Sequence, residues 1–319
     1  MTRCVVMISS VSAKTEMIDA VRKGFAKLDP NVVIIGADAN EGCKGRQYVD
    51  DFIAMPLIDQ IDVSKFIASL VAKGVTHIIP SRDGELSFYA MHHDQFARAD
   101  ICVMVATVSA IETCTDKYLF YQQLGGDFPV IQTSLTSQSD EGRWVAKERY
   151  GASSSGLLLD IPAESLLAES KQLSAPIYQP YIPGHEYSID LYISNDGMCC
   201  GHVVRSRDVI VDGEAKVTTS RVRPHIGELA ERVAQAAGLT GHCLVQVIED
   251  VSGQLHIVEI NPRFGGSSSL SVALGLDSFY WFALESMGEH LDQQLLQDYP
   301  ANRTLNKFEK PHRISSDED

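Results

Sequence analysis

The chain has 319 residues, 45% of them hydrophobic and 22% charged, with a formal net charge of −15. That length suits a multi-part α/β enzyme with a sizeable core. The negative charge disfavours non-specific binding to nucleic acid or an anionic membrane, so a phosphate site has to be built locally from Lys, Arg and backbone N–H groups.

Residues 3–8 read as a buried strand, 14–27 as a helix and 31–36 as a second strand. A short apolar segment at 52–55, a helix near 63–73 and strand-like runs at 77–80 and 101–105 follow. Strands interleaved with helices predict a parallel sheet covered on both faces. The first strand–helix turn, Ser9-Ser10-Val11-Ser12-Ala13, has no glycine, whereas a dinucleotide pyrophosphate needs close backbone approach there. Asp38 after the second strand is only a weak match to a ribose-binding acid, and the module reads as a scaffold and substrate wall. Asp83 and Glu85 follow the end of a parallel strand, where open α/β sheets bind ligands. Contact with a substrate amine and capping of a helix N-terminus are equally open for them.

Residues 107–124 are expected to form one helix carrying Asp116 and Lys117, ended by Gly125-Gly126. A strand at 144–147 carries Lys147 into Gly151-Ala152-Ser153-Ser154-Ser155-Gly156, followed by a strand at 156–159, a helix near 162–171 and a strand at 177–179. The third part, from Gly184 to about 293, mixes strands with helices near 226–237 and 277–287, and the polar segment from Asn302 is expected to be a mobile tail. Seven cysteines form no CxxC pair, the N-terminal apolar run is too short for a secretion signal, and no stretch of about 18 apolar residues occurs. Reduced thiols in a cytoplasmic protein are the expectation.

The richest stretch is His256-Ile257-Val258-Glu259-Ile260-Asn261-Pro262-Arg263-Phe264-Gly265-Gly266-Ser267. Alternation along a strand puts Val258 and Ile260 toward a core and Glu259 with Asn261 on the opposite face. A carboxylate beside an amide oxygen suits Mg²⁺ carrying phosphates, and Arg263 offers a planar guanidinium beyond the strand. Gln246, in the alternating run 243–248, supplies a third oxygen if the two runs pair as a hairpin across the turn-rich 249–254.

The 151–156 loop has small residues and free N–H groups suited to a phosphate, or is a plain surface loop; Leu157 and Leu158 after its second glycine exclude a P-loop. Tyr178-Gln179-Pro180-Tyr181-Ile182-Pro183-Gly184-His185-Glu186 is a stiff linker whose backbone can face an adenine edge and whose Glu186 can accept from ribose hydroxyls, or an interdomain hinge with an exposed acid. Arg205 and Arg207 share a strand face, and Arg221 with Arg223 repeats the spacing; such pairs fit an acyl phosphate or a carboxylate, or are surface charges. No HxxxH pair and no GxSxG elbow occurs.

The ordered set Lys117, Lys147, the 151–156 loop, Gly184-His185-Glu186, Gln246, Glu259, Asn261 and Arg263 resembles the ATP-grasp superfamily. The similarity is strongest to the branch of carbamoyl-phosphate synthase large subunits and stand-alone carboxylate–amine ligases, and it runs to about residue 290. It implies an N-terminal parallel-sheet α/β domain over 1–112, a central flap lobe over 113–182, and a C-terminal lobe over 183–319 with the metal site and a short polar tail. ATP and Mg²⁺, with Mn²⁺ as a substitute, are the implied cofactors. By the same resemblance Lys117 and Lys147 meet the phosphates, Ser153, Ser154 and Ser155 close over them, and Gln179, Ile182 and Glu186 hold the nucleoside. Gln246, Glu259 and Asn261 then bind metal, and Arg263 with Arg205 carries the catalysis. Pro180 departs from the family, which usually has an acid there, so the base is left to backbone groups near Gln179 and Ile182. The implied reaction joins a small carboxylate to an amine through an acyl phosphate; the alternatives are kinase-like phosphorylation of carbamate or a small acid, or nucleotide binding without catalysis. The resemblance leaves a homodimer open.

Overall fold

The structure is a computed structural model describing residues 3–137, 141–151, 156–309 and the backbone of 313–314. In its N-terminal module, β1 (Val5–Ser9), α1 (Thr15–Ala26), β2 (Val33–Asp38), β3 (Asp51–Ala54), α2 (Val63–Ala72), β4 (His77–Ile79), α3 (Asp83–Met91), α4 (His93–Ala97) and β5 (Cys102–Val103) follow in order. The strands form a parallel sheet in the order β3-β2-β1-β4-β5, as the alternating pattern predicts. The order reverses between β1 and β4, which puts the first turn and the start of α3 at the switch point, where such sheets leave a crevice. Ser10 and Ser12 take positive φ in that glycine-free turn. The helix starting at Asp83 answers the capping alternative left open for Asp83 and Glu85, while the one over His93–Ala97 has no counterpart among the elements expected from sequence. Glu85 starts the first by accepting from the N–H groups of Ser81 (2.6 Å) and Arg82 (3.0 Å), which fills orphan donors of the first turn.

The single helix expected over 107–124 is two, α5 (Val108–Thr115) and α6 (Lys117–Leu124). Asp116 breaks it with an extended backbone, φ −100° and ψ 101°, and its carboxylate accepts from the N–H groups of Tyr118 and Leu119 while Arg149 forks onto it. Side-chain competition for backbone donors is what makes Asp a helix starter and a poor interior residue.

A small lobe follows, in which β6 (Arg143–Glu148) lies between β7 (Leu158–Pro162) and β8 (Pro176–Pro180), with α7 (Ala163–Glu169) packed on Trp144, Ala146 and Tyr178. The rest builds an antiparallel sheet from β9 (Gly184–Ile193), β10 (Cys199–Val211), β11 (Glu214–Ser220), β12 (Gly241–Asp250), β13 (Leu255–Asn261), β14 (Thr304–Asn306) and β15 (Arg313–Ile314), in the order β13-β12-β9-β10-β11-β14-β15. The segment expected as a mobile tail thus contributes β14, because its Thr-Leu-Asn pairs with the open edge of β11 and buries Leu305.

Helix α8 (Pro224–Ala236), with α5 and α6, covers one face of this sheet, burying Ile189, Val204, Val245 and Ile257. On the other face α9 (Ser269–Ala273) and α10 (Ser278–Ser286) adjoin a core shared with α1, where Phe25, Phe279 and Phe282 meet Tyr192 and Val203. The N-terminal module is therefore packed onto the C-terminal sheet through apolar surface. His77 at the start of β4 reaches Ser286 of α10 at 2.8 Å. Among the described residues no helix is long and apolar enough to cross a membrane.

Candidate active site

A cavity of about 1330 Å³ opens where the parallel sheet, the small lobe and the antiparallel sheet converge. It exceeds the roughly 300–1,000 Å³ of an ordinary small-molecule pocket, so it has room for more than one ligand. Lys117, Lys147, Gln179, Ile182, Glu186, Arg205, Gln246, Glu259, Asn261 and Arg263 all line it. Ser153, Ser154 and Ser155 lie outside the described residues, although Gly151 at the base of their loop lines the cavity.

The two alternating runs do pair as a hairpin, and Gln246 stands directly across from Glu259 with Leu244 across from Asn261. One expectation changes. The register slips between Gln246 and Val247, so Val258 is an extra residue; Ile257 and Ile260 enter the core while Val258 lines the cavity. A bulge shifts alternation by one residue, and it keeps Glu259 and Asn261 on the cavity face with Gln246. Burial drives the Glu259 carboxyl up, but Lys147 and Lys117 outweigh it, so Glu259 titrates below the usual range and is ionised at neutral pH. Asn261 donates to Glu259 at 3.3 Å. Three oxygen donors with one ionised carboxylate fit a hard divalent cation better than a thiophilic one.

Lys147 is 8% exposed on β6; burial pulls its ammonium pKa down, against the pull of Glu259. Lys117 opens α6, where the Asp116 break points it toward the cavity, donates to the Gly151 carbonyl at 2.9 Å and approaches Glu259 at 3.9 Å. Along the linker, Tyr181 N–H bonds to Arg143 of β6, while Tyr178 exchanges bonds with Ser134 on the other edge. By strand alternation the Pro180 carbonyl and Ile182 N–H belong to that second edge, one acceptor and one donor in the spacing a purine edge presents. The Gln179 side chain is spent on Thr133, at 2.8 Å. Glu186 pairs with Arg207 at 3.1 Å, and burial raises its pKa.

Arg205 is buried in the cavity wall: it donates to Asp190 at 2.7 Å, to Thr218 at 3.0 Å and to Ser271 at 3.2 Å. Asp190 also accepts from Ser268, Ser271 and His242. Arg263 turns from the end of β13 onto Asp83 of the N-terminal module, Nε to Oδ1 at 2.8 Å with a second bond from Nη2. Gly266 lies just beyond, and a Cβ there would lie 2.5 Å from the Glu214 carboxylate, which would have to move aside. Of the two open acids, Asp83 lines the cavity and Glu85 is the helix cap described above. Arg223 stands exposed at the start of α8, outside the cavity lining.

Further cations line the cavity with little or no signal in the sequence, Arg207, Lys14 and Lys307 among them. Arg207 is visible there only as the partner of Arg205 in i, i+2 spacing; its Nε is buried without a partner. Lys14, in the first turn, donates to the Ser81 carbonyl at 2.6 Å, and burial lowers its pKa to about 8. Lys307 reaches back from the expected tail to the Gly266 carbonyl at 3.0 Å, for which the sequence carries no signal.

The architecture is similar to that of solved carboxylase and synthetase structures. It matches the biotin carboxylase domain of Hydrogenobacter thermophilus 2-oxoglutarate carboxylase, a dimer solved with MgADP, ADP and bicarbonate, with TM-score 0.75 at 15% identity over 95% of this chain and 74% of that chain. Campylobacter jejuni biotin carboxylase gives 0.74 at 15% identity, covering 94% and 74% of the two chains. N5-carboxyaminoimidazole synthetase from Staphylococcus aureus, complexed with ADP, gives 0.73 at 16%, covering 94% and 80%. Residues 172–308 match the family described as ATP-grasp in the biosynthetic pathway with Ter operon. No curated protein sequence matches the chain. The chain shares the fold of these structures, and the 172–308 match spans the linker, most of the antiparallel sheet and the candidate metal strand.

Proposed function

We propose that the protein is an ATP- and Mg²⁺-dependent ligase that joins a small carboxylic acid to an amine, releasing ADP and phosphate. The observation carrying this reading is the Gln246–Glu259 cross-strand pair with Asn261 on the same face and two lysines converging on Glu259. Gln246, Glu259 and Asn261 would hold Mg²⁺, which supplies charge neutralisation between phosphate oxygens. Lys147 and Lys117 hold the phosphates, the Pro180 carbonyl and Ile182 N–H read the base, and Glu186 accepts from the ribose once Arg207 turns away. A carboxylate oxygen attacks the γ-phosphorus, ADP leaves, and Arg263 stabilises the charge on the transferring group. The amine nitrogen then attacks the acyl carbon and phosphate departs with the bridging oxygen. No protein nucleophile takes part, in keeping with a cavity lined by Lys, Arg and acids. Arg205 acts by holding Asp190 and the strand beneath the acyl phosphate. Small molecules, not nucleic acid or membrane, are the partners, and seven free cysteines fit a cytoplasmic setting.

Glu259→Ala and Asn261→Ala test the metal assignment. MgATP should raise the wild-type Tm by mass action and raise that of either variant much less, while their Tm without nucleotide stays near wild type. Equal MgATP shifts in all three proteins would remove the metal assignment. A screen for ADP release over amino acids and small carboxylates, with and without amines, identifies the substrates.

A further inference from the structure

On the far side of the antiparallel sheet, Cys199 and His202 of β10 and Glu231 of α8 bring a sulfur, an imidazole nitrogen and a carboxylate oxygen within 4.8 Å of one another. Residues three apart on a regular strand point to opposite faces. Here the register slips between Cys199 and Gly201, making Cys200 the extra residue. Cys199 therefore emerges on the α8 face with Val204, while Cys200 and Val203 belong to the core shared with α1 and α10. His202 lies on the α8 face too, alternating with Arg205 and Arg207 of the cavity wall.

The helix is shaped to match. A Cβ on Gly227 would lie 2.0 Å from His202 Nε2, so only glycine lets the ring sit against α8. Glu231, four residues on, comes up on the same side of the helix. The Cys199 thiol makes only a weak 3.4 Å contact with the Gly201 carbonyl, and among the described residues no hydrogen bond holds the His202 ring. A buried thiol is ordinary packing, but here a bulge and a helix glycine bring it together with the imidazole and with the Glu231 carboxylate, which also takes a hydrogen bond from Gln293.

We propose that Cys199, His202 and Glu231 form a binding site for one transition-metal ion of the Zn²⁺ class, with a fourth position open to water. Thiolate, imidazole and carboxylate are the Zn²⁺ ligand types, whereas the oxygen-only set in the cavity suits Mg²⁺, so ligand softness sorts the two ions. On binding, the Cys199 S–H bond breaks, its proton goes to solvent and the sulfur pair forms the metal bond. The ion then ties β10 to α8 behind the cavity. The site is independent of the proposed ligase reaction.

The test uses the full chain, stripped with a chelator and titrated with Co²⁺ in excess Mg²⁺. One Co²⁺ per chain should bind with a thiolate-to-cobalt charge-transfer band and the strong visible bands of tetrahedral geometry. Zn²⁺ should displace it. His202→Gln and Cys199→Ser should each weaken Zn²⁺ binding, measured against a chromophoric competitor, by more than the roughly 10–100-fold that outer-shell partners are worth. Cys102→Ser, a thiol elsewhere in the fold, should leave it unchanged. Circular dichroism establishes that each variant is folded, and either ligand variant tests the site without the other. No charge-transfer band in the wild type, or a band unchanged in folded His202→Gln and Cys199→Ser, overturns the proposal.

Discussion

Arg263 forks onto Asp83 across 180 residues of sequence, Nε to Oδ1 at 2.8 Å, and so fastens the end of the candidate metal strand to the N-terminal module. A bidentate guanidinium–carboxylate pair fixes orientation as well as position. Asp83 is thereby a positioning residue for Arg263, and the N-terminal module helps to set the geometry at the reacting end of the cavity.

Asp83→Asn should therefore lower turnover by roughly 10²-fold, the scale of loss from misplacing a reacting group by about 1 Å, with little change in the KM for ATP. Arg263→Ala should lose at least as much, and the double variant little more than the worse single, because the two act as a unit. Steady-state kinetics of ADP release measures all three. Additive losses in the double variant would show that Asp83 does not act through Arg263.

Arg205 and Asp190 make a different prediction. Burial alone would raise the Asp190 pKa, yet Arg205 and His242 hold it well below the carboxylate range. Arg205→Ala leaves that charge buried and should destabilise the fold by about 3–5 kcal/mol in urea denaturation. Adding Asp190→Asn should recover part of the loss. A cost under about 1 kcal/mol for Arg205→Ala would mean that the network contributes little.

His77 sets an acid limit on stability. Burial against Phe25 and Phe282 lowers its pKa from 6.5 to about 4. Between these values the unfolded chain binds the proton and the folded chain does not, so stability falls as pH drops from about 6.5 toward 4, and is unaffected above that window. At about 1.36 kcal/mol per pKa unit the full loss is roughly 3 kcal/mol. Urea midpoints of wild type and His77→Gln, compared at neutral and acid pH, should converge as pH falls. Parallel pH profiles would show that His77 does not titrate on unfolding.

Much of the site is legible in the chain because it lies on local patterns. Gln246 and Glu259 face each other since two alternating runs flank a turn rich in Asp, Ser and Gly, and hairpin pairing follows from that. The inward place of Ile257 in preference to Val258 was not legible, because a bulge is decided by the partner strand. Nor was the break at Asp116, where a carboxylate clasped by Arg149 overrides a helical pattern. Contacts such as Arg263 with Asp83, set by how the modules dock, or Lys307 with Gly266, set by how the last segment returns to the sheet, leave no trace in spacing.

Amide formation is open to trapping with hydroxylamine, a small nucleophile that can take the place of the amine at an activated acyl carbon. The protein and MgATP are incubated with hydroxylamine and an acid that supports ADP release. A hydroxamate of that acid should form, with ADP and phosphate in equal amounts, and Glu259→Ala should abolish it. A stable phosphorylated acid released to solvent, with no hydroxamate from any active acid, would rule out amide formation and leave the kinase-like reaction in its place.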